Sequence, residues 1–192
     1  MCKFINLIID RKNLNFKNTQ YLSQVAFLYS RYSKYLTDDY SSKPDFTTVL
    51  NIIENSSPLF YVILEQKTGE FAGFVYLDNL TGNSDSIHGA EISACFEKKF
   101  WGNFTKKCAL TFFAYCFTTL NLKKIKAQIY PFNHRVKALL NYCGFKKDGI
   151  LRDETLKFNK LSDIETYSLT PKDLKPININ WKGYLWKSKT RI

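Results

Sequence analysis

The stretch Ile87-His88-Gly89-Ala90-Glu91-Ile92-Ser93-Ala94-Cys95-Phe96-Glu97-Lys98-Lys99-Phe100-Trp101-Gly102-Asn103-Phe104-Thr105 decides the fold. Its first half reads as a strand over residues 87–97, rich in small and apolar residues. A polar and aromatic bend over residues 98–103 follows, and from about Phe104 to Leu120 the apolar residues Leu110, Phe113, Ala114 and Phe117 fall at helical spacing. A strand that turns through a glycine into a helix is half of a β-α-β unit, and residues 124–130, alternating in character and ending at Pro131, supply the second strand.

Outward from this unit the pattern stays legible. Upstream, residues 59–65 and 71–77 are β-branched or aromatic and flank Lys67-Thr68-Gly69, a hairpin signature. Gly82-Asn83 turns the chain again. Residues 4–9 predict a short strand, Asn18-Thr19 an N-cap, and Tyr21, Leu22, Val25, Leu28, Tyr29 and Tyr32 a helix behind it. Lys43-Pro44-Asp45 breaks and caps once more, and Phe46, Val49, Leu50 and Ile53 mark one face of a second helix that stops near Ser57-Pro58. Downstream, residues 135–142 predict a short helix ended by Gly144, then strands over 149–158 and 163–169. The order β-α-α-β-β-β-α-β-α-β-β predicts an α+β fold in which helices cover a mixed sheet.

The whole chain has 192 residues, 45% of them hydrophobic and 16% aromatic, enough for one compact domain. No apolar run approaches the ~18 residues of a membrane span, and residues 4–9 have no cleavage site behind them, so a soluble, unprocessed protein is expected. The five cysteines, Cys2, Cys95, Cys108, Cys116 and Cys143, form no CxxC pair and lie mostly in apolar stretches, which points to a reducing, cytoplasmic setting. Two widely spaced histidines, His88 and His134, give a zinc site no support.

A net charge of +11 would draw nucleic acid, an anionic cofactor or an acidic protein surface and does not choose among them. Composition changes after residue 170. Residues 1–174 are expected to form the domain and residues 175–192 a basic, aromatic extension, in which Trp181, Tyr184 and Trp186 lie among Lys175, Lys182, Lys187, Lys189 and Arg191. Such a segment suits stacking on nucleic acid, docking on a protein partner, or folding back over an exposed core face.

From about residue 60 to 174 the chain resembles the GCN5-related N-acetyltransferases, and among them the ribosomal-protein N-terminal acetyltransferase branch. The resemblance rests on Ala90-Glu91-Ile92-Ser93-Ala94-Cys95-Phe96 followed by Phe100-Trp101-Gly102, on Asn133 eleven residues before Gly144-Phe145, on Gly149-Ile150-Leu151-Arg152, and on Asp163, Tyr167 and Leu169. It implies a mostly antiparallel sheet in which two parallel strands splay apart to admit the pantetheine arm of acetyl-CoA. The implied cofactor contacts are the backbone of Cys95 and Phe96 at the thioester, the amides of Trp101, Gly102, Asn103, Phe104 and Thr105 at the pyrophosphate, and Asn133, which also suits a cap on the following helix. Lys106 and Lys107 would add charge at the pyrophosphate or form a solvated first turn. Glu91 is the implied proton relay for an incoming amine, a protein N-terminus or a small amine, or else a partly exposed strand residue. His134 lies beside the implied site, Tyr130 would line the acceptor cleft, and residues 78–86 would shape it as a loop. Cys143 reads as core.

Three positions depart from the family's pattern. Phe104 replaces a small residue of the cofactor loop, so its ring must turn away into the core. Val136 and Leu140 stand where relatives carry a hydroxyl for the cofactor and a tyrosine for the leaving thiolate, and Tyr142 is about 200° round the helix from Leu140. Filling of the cleft by these three side chains would indicate a second reading, a scaffold that keeps the fold as an interaction module, in contact with protein or nucleic acid through its basic surface and extension.

Overall fold

In the computed structural model, which describes residues 1–12, 15–40, 45–83 and 86–176, the sheet and its two helical layers follow the expected order. The strands are β1 (Cys2–Asn6), β2 (Ile8–Asp10), β3 (Asn15–Lys17), β4 (Phe60–Glu65), β5 (Phe71–Gly82), β6 (Ile87–Phe96), β7 (Lys124–Ile129), β8 (Lys146–Lys157) and β9 (Lys160–Leu169). The helices are α1 (Leu22–Arg31), α2 (Ser33–Leu36), α3 (Phe46–Asn55), α4 (Asn103–Thr118) and α5 (His134–Cys143). Among the described residues seven strands form one sheet in the order β1-β4-β5-β6-β7-β9-β8, antiparallel throughout except for β6 against β7.

Alternation along the strands sends side chains to two cores, one on each face. Ala72, Val75, Leu77, Ala90, Ile125, Ala127 and Ile129 pack with Phe112, Phe113 and Cys116 of α4 and with Leu140 and Cys143 of α5. Phe60, Val62, Phe74, Tyr76 and Cys95 point the other way, onto Val25, Leu28 and Tyr29 of α1 and Val49 and Ile53 of α3. Phe60, Phe74 and Tyr76 stack there with ring centroids 5.3 to 6.4 Å apart. Full burial of each such ring is worth about 2–3 kcal/mol, so the helix layers are held mainly by area removed from water.

Several local expectations are corrected. The strand expected over residues 4–9 breaks at Leu7, which is fully buried, and Ile8–Asp10 forms a separate hairpin with Asn15–Lys17. Asn18 does not cap α1: it has a left-handed backbone, φ +59°, and its side-chain amide donates to the Asn6 carbonyl at 2.7 Å. Asp45 does cap α3, accepting from the Thr48 N–H at 2.8 Å, but Phe46 is exposed because the buried face starts at Val49. Helix α4 buries more of its girth than an amphipathic stripe would, with Cys108, Ala109, Leu110, Thr111, Phe112 and Phe113 all covered. The loop expected over 78–86 is largely strand, since β5 runs on to Gly82. The break expected at Lys43-Pro44 and the aromatics of the extension, Trp181, Tyr184 and Trp186, lie outside the described residues.

Candidate active site

The parallel pair is short. β6 and β7 match Gly89 with Lys124, Ala90 with Ile125 and Glu91 with Lys126, and then separate. Each keeps its other neighbour: β6 stays paired to β5 as far as Phe96, and β7 to β9 as far as Ile129. The facing edges of residues 92–96 and 127–129 are therefore released from the ladder, and backbone polar groups so released need other partners. A cleft of about 1770 Å³ opens there, with Glu91, Ser93 and Gln128 at one end and Trp101, Lys106 and Arg135 at the other.

At the second end, Gly102 has φ +97°, a conformation that L side chains rarely adopt, and it precedes α4 with no side-chain cap. A Cβ on Gly102 would meet nothing within 4 Å, so the approach to the helix start is open. An uncapped first turn presents N–H groups and the positive end of the helix dipole, the environment a diphosphate prefers. Cationic side chains gather around it. The guanidinium of Arg135 stacks 4.0 Å from the centre of the Trp101 ring, and Lys106 and Lys175 lie 4.6 and 5.5 Å from the centre of the Tyr142 ring. Tyr32 meets the Trp101 ring at 5.8 Å, and the indole N–H donates to the Phe96 carbonyl at 3.0 Å, which fixes the end of β6.

The residues expected from the sequence fall into two groups. Cys95, Phe96, Trp101 and Gly102 lie along one wall of the cleft, and Asn133 and His134 along the other. Cys95 contributes backbone alone: its side chain is buried in the α1–α3 core, where burial and the Glu97 charge push the thiol up to about 12. Asn103 is exposed at the first position of α4. Phe104 packs its ring 4.8 Å from that of Phe100, outside the cleft, as a large residue at that position requires. The Thr105 hydroxyl donates to the Phe100 carbonyl at 2.8 Å, so its side chain holds the bend. Asn133 caps α5 by accepting from the Val136 N–H at 3.4 Å. Val136 and Leu140 line the cleft wall, and so does Tyr142, beneath its two lysines. Cys143 is fully buried core.

Glu91 is half-buried, and its Oε2 accepts from Asn79 Nδ2 at 3.2 Å and Gln128 Nε2 at 3.4 Å. Tyr130 also lines the cleft, with its hydroxyl donating to the Thr37 carbonyl at 2.9 Å; burial, with Asp38 and Asp39 close, pushes this phenol up to about 12. The cleft lining also includes the carboxylates of Asp38 and Glu154 and the cations Arg31, Lys34 and Lys98. Reading the sequence missed Arg135, which the Asn133-His134-Arg135 helix start could have flagged, and Asn79, for which no periodic signal exists.

Residues 19–146 match the family model described as Acetyltransferase (GNAT) domain. A curated relative, the "Uncharacterized N-acetyltransferase p20" of Bacillus licheniformis, is 30% identical over 141 residues, which cover 70% of this chain and 75% of that protein. The fold is also that of a spermidine N-acetyltransferase from Vibrio cholerae, solved in complex with CoA and spermine: TM-score 0.69 at 18% identity, over 90% of this chain and 96% of the other. RimJ of Mycobacterium smegmatis, solved in complex with CoA-disulfide, gives a TM-score of 0.67 at 17% identity, over 83% and 82% of the two chains.

Proposed function

The chain belongs to the GNAT acetyltransferase family, whose co-substrate is acetyl-CoA, and from that premise we propose that it transfers the acetyl group to a primary amine, a protein N-terminus or a small amine. The observation that carries this reading is the open splay between β6 and β7, which runs from an uncapped helix start ringed with cations to the Glu91 carboxylate where the strands part. The amides around Gly102 and the cations Lys106 and Arg135 would hold the diphosphate, and the released edge of β6 at Cys95 and Phe96 would hydrogen-bond the arm and the thioester carbonyl. Acetyl-CoA supplies an activated carbonyl carbon. The amine attacks it, the C–N bond forms as the C–S bond breaks, and the thiolate leaves.

This chain's residues would then do three things. They position amine and thioester within one cleft, which replaces a bimolecular encounter with an internal one. They polarise the carbonyl from backbone N–H groups. Glu91, directly or through a water, takes a proton from the ammonium so that a lone pair is available. Leu140 and Val136 bring no hydroxyl, and the Tyr130 proton is committed to Thr37, so the second N–H proton, which the nitrogen sheds once the C–N bond has formed, passes through water to the departing thiolate. The Glu91 carboxylate favours an acceptor that arrives as a cation, and the net charge of +11 would steer the protein toward ribosome-like or nucleic-acid-associated substrates. The scaffold reading required Phe104, Val136 and Leu140 to fill the cleft; Phe104 lies against Phe100 outside it, and the other two line its wall.

Calorimetric titration with acetyl-CoA tests the proposal, with Gly102→Arg as the control for the helix start. Micromolar binding that the substitution abolishes is the expected result. No binding at near-millimolar acetyl-CoA would overturn it.

A further inference from the structure

Among the described residues one buried side-chain oxygen has no hydrogen-bond partner, Oδ1 of Asp78. An unpartnered carboxylate oxygen is costly to bury, and a fold gains nothing from it that a threonine or an amide would not supply. Asp78 sits on β5 in register with Glu91 on β6. Residues directly opposite on antiparallel strands project to the same face with Cβ atoms ~5 Å apart, and like charges so placed repel. The fold therefore holds a second carboxylate against the one that faces the cleft.

The strand is irregular at this point. The β5–β6 register slips between Asp78 and Thr81, and Asn79 has φ +44°, in the left-handed region. In a regular strand Asn79 would point to the face opposite Asp78; the bulge turns it so that its Nδ2 donates to Glu91 Oε2. Gln128 on β7 donates to the same oxygen. Glu91 is thus oriented by two neutral amides, with Asp78 beside it.

We propose that Asp78 is a positioning residue for proton transfer, acting through Glu91, so that the two carboxylates together hold one proton taken from the incoming ammonium. The inference rests on the acetyltransferase reading given above. In the step, one N–H bond of the ammonium breaks, an O–H bond forms on Glu91, the amine keeps the electron pair, and the charge of the pair falls from −2 to −1. The proton is later released to water. Burial, and after it the Glu91 charge, push Asp78 up to about 6 against a smaller opposing hydrogen bond from its own backbone N–H. The groups around the pair are the Tyr76 phenol on β5, Ser93 on β6, Tyr29 from α1 and the exposed Lys126 opposite Glu91 on β7, and the charged lining of the cleft adds Asp38, Glu154, Arg31, Lys34 and Lys98. None of these changes in the variants below.

The test combines a carboxyl ¹³C NMR titration with pH–rate profiles, in wild type, Asp78→Asn and Glu91→Gln. Turnover is read as thiol release from acetyl-CoA with spermidine and with an alanyl peptide as acceptors. In wild type the Asp78 resonance should titrate near 6, and in Glu91→Gln it should move down. Asp78→Asn should lower the acid limb of kcat/KM, so that at pH 5 it keeps a fraction of its own plateau about fivefold larger than wild type does. Glu91→Gln should lose about 100-fold in kcat. An Asp78 titration unmoved by Glu91→Gln, or a loss in Asp78→Asn that is equal at every pH, would overturn the proposal. Coupled titrations with no turnover on either acceptor would overturn the role in transfer while leaving the shared proton in place. Failure to bind acetyl-CoA at all would instead be a failure of the acetyltransferase reading.

Discussion

Removing both donors to the Thr37 carbonyl should cost more than the sum of removing each. That carbonyl accepts from the Tyr130 hydroxyl at 2.9 Å and from the Lys157 ammonium. Lys157 ties the segment after α2 to the β8–β9 hairpin, alongside the Asp39 N–H on the Leu156 carbonyl, the Thr155 hydroxyl on Asp38 and the Asn159 N–H on Asp39, at 2.9, 2.9 and 2.8 Å, and Tyr130 ties it to the end of β7. Tyr130→Phe removes one neutral hydrogen bond and keeps the ring over which Lys157 sits at 5.3 Å, so it should cost about 1 kcal/mol. Lys157→Met removes a charge-assisted bond worth more, but burial already pushes this ammonium down against Asp39 and Asp38, so relief of desolvation returns part of the loss and the net is again about 1 kcal/mol. In either single variant the carbonyl keeps a partner. In the double variant it has none, and an orphaned acceptor adds about 1 kcal/mol, for a total of about 3 kcal/mol. Urea denaturation of the four proteins reads the cycle, and acceptor KM should rise most in the double variant because the Thr37–Tyr40 segment borders the cleft. Additivity within about 0.3 kcal/mol would refute the reasoning, since it would mean that water satisfies the carbonyl as well as the protein does.

Two further outcomes follow from single contacts. A Cβ on Gly73 would lie 2.2 Å from the Cys95 carbonyl oxygen, a backbone atom that cannot turn aside, so Gly73→Ala should cost about 3 kcal/mol, lower the melting temperature by about 6–12 °C, and weaken acetyl-CoA binding through the displaced end of β6. Glu165 is buried, which alone would push it up, but hydrogen bonds from Lys137 and Lys147 at 2.8 Å and from Tyr167 at 3.0 Å outweigh burial and hold it at about 2. Its folded value lies below its ordinary one, so the stability it contributes is present above pH ~4.5 and is lost as pH falls toward 2. Urea midpoints measured between pH 6 and 3 should drop in wild type, and Glu165→Gln should flatten that dependence from a lower starting point.

What could be read from the sequence was whatever repeats or punctuates. The hairpin of β4 and β5, the glycine bend before α4, Gly144 at the end of α5 and the element order all carry local signals, and the packing of Phe104 away from the cleft follows from ring size alone. Non-local competition accounts for the misses. Asn18 has the chemistry of a cap, but the Asn6 carbonyl lies close across the chain and takes its amide. Residues 4–9 have uniform strand propensity, yet Leu7 is drawn into the α1–α3 core and divides them. At the site, Glu91 and the β6 backbone were legible through the resemblance, whereas the partners that orient them, Asn79, Gln128 and Arg135, are set by register and by helix rotation.

The irregularities of β5 show why the site could only be half read. This strand has three register faults, at Ile63/Leu64 on the β4 side and at Asp78/Thr81 and Thr81/Gly82 on the β6 side, and the first two lie opposite functional points of β6. The first, between Ile63 and Leu64 on the β4 side, accompanies the close approach of Gly73 to Cys95 and Phe96, where the thioester carbonyl would lie. The second, after Asp78, turns Asn79 onto Glu91, where the ammonium proton would go. Between them Phe74 to Leu77 pair regularly with Ile92 to Cys95 and pack into both cores. A regular β5 would serve those cores equally well. The faults therefore serve β6, whose other edge must stay unpaired for the cleft to exist: a strand held from one side only takes its shape from that side. On this argument β5 is the template of the active strand, and substitutions at Gly73 and Asn79 should alter transfer as strongly as substitutions of residues that touch the amine.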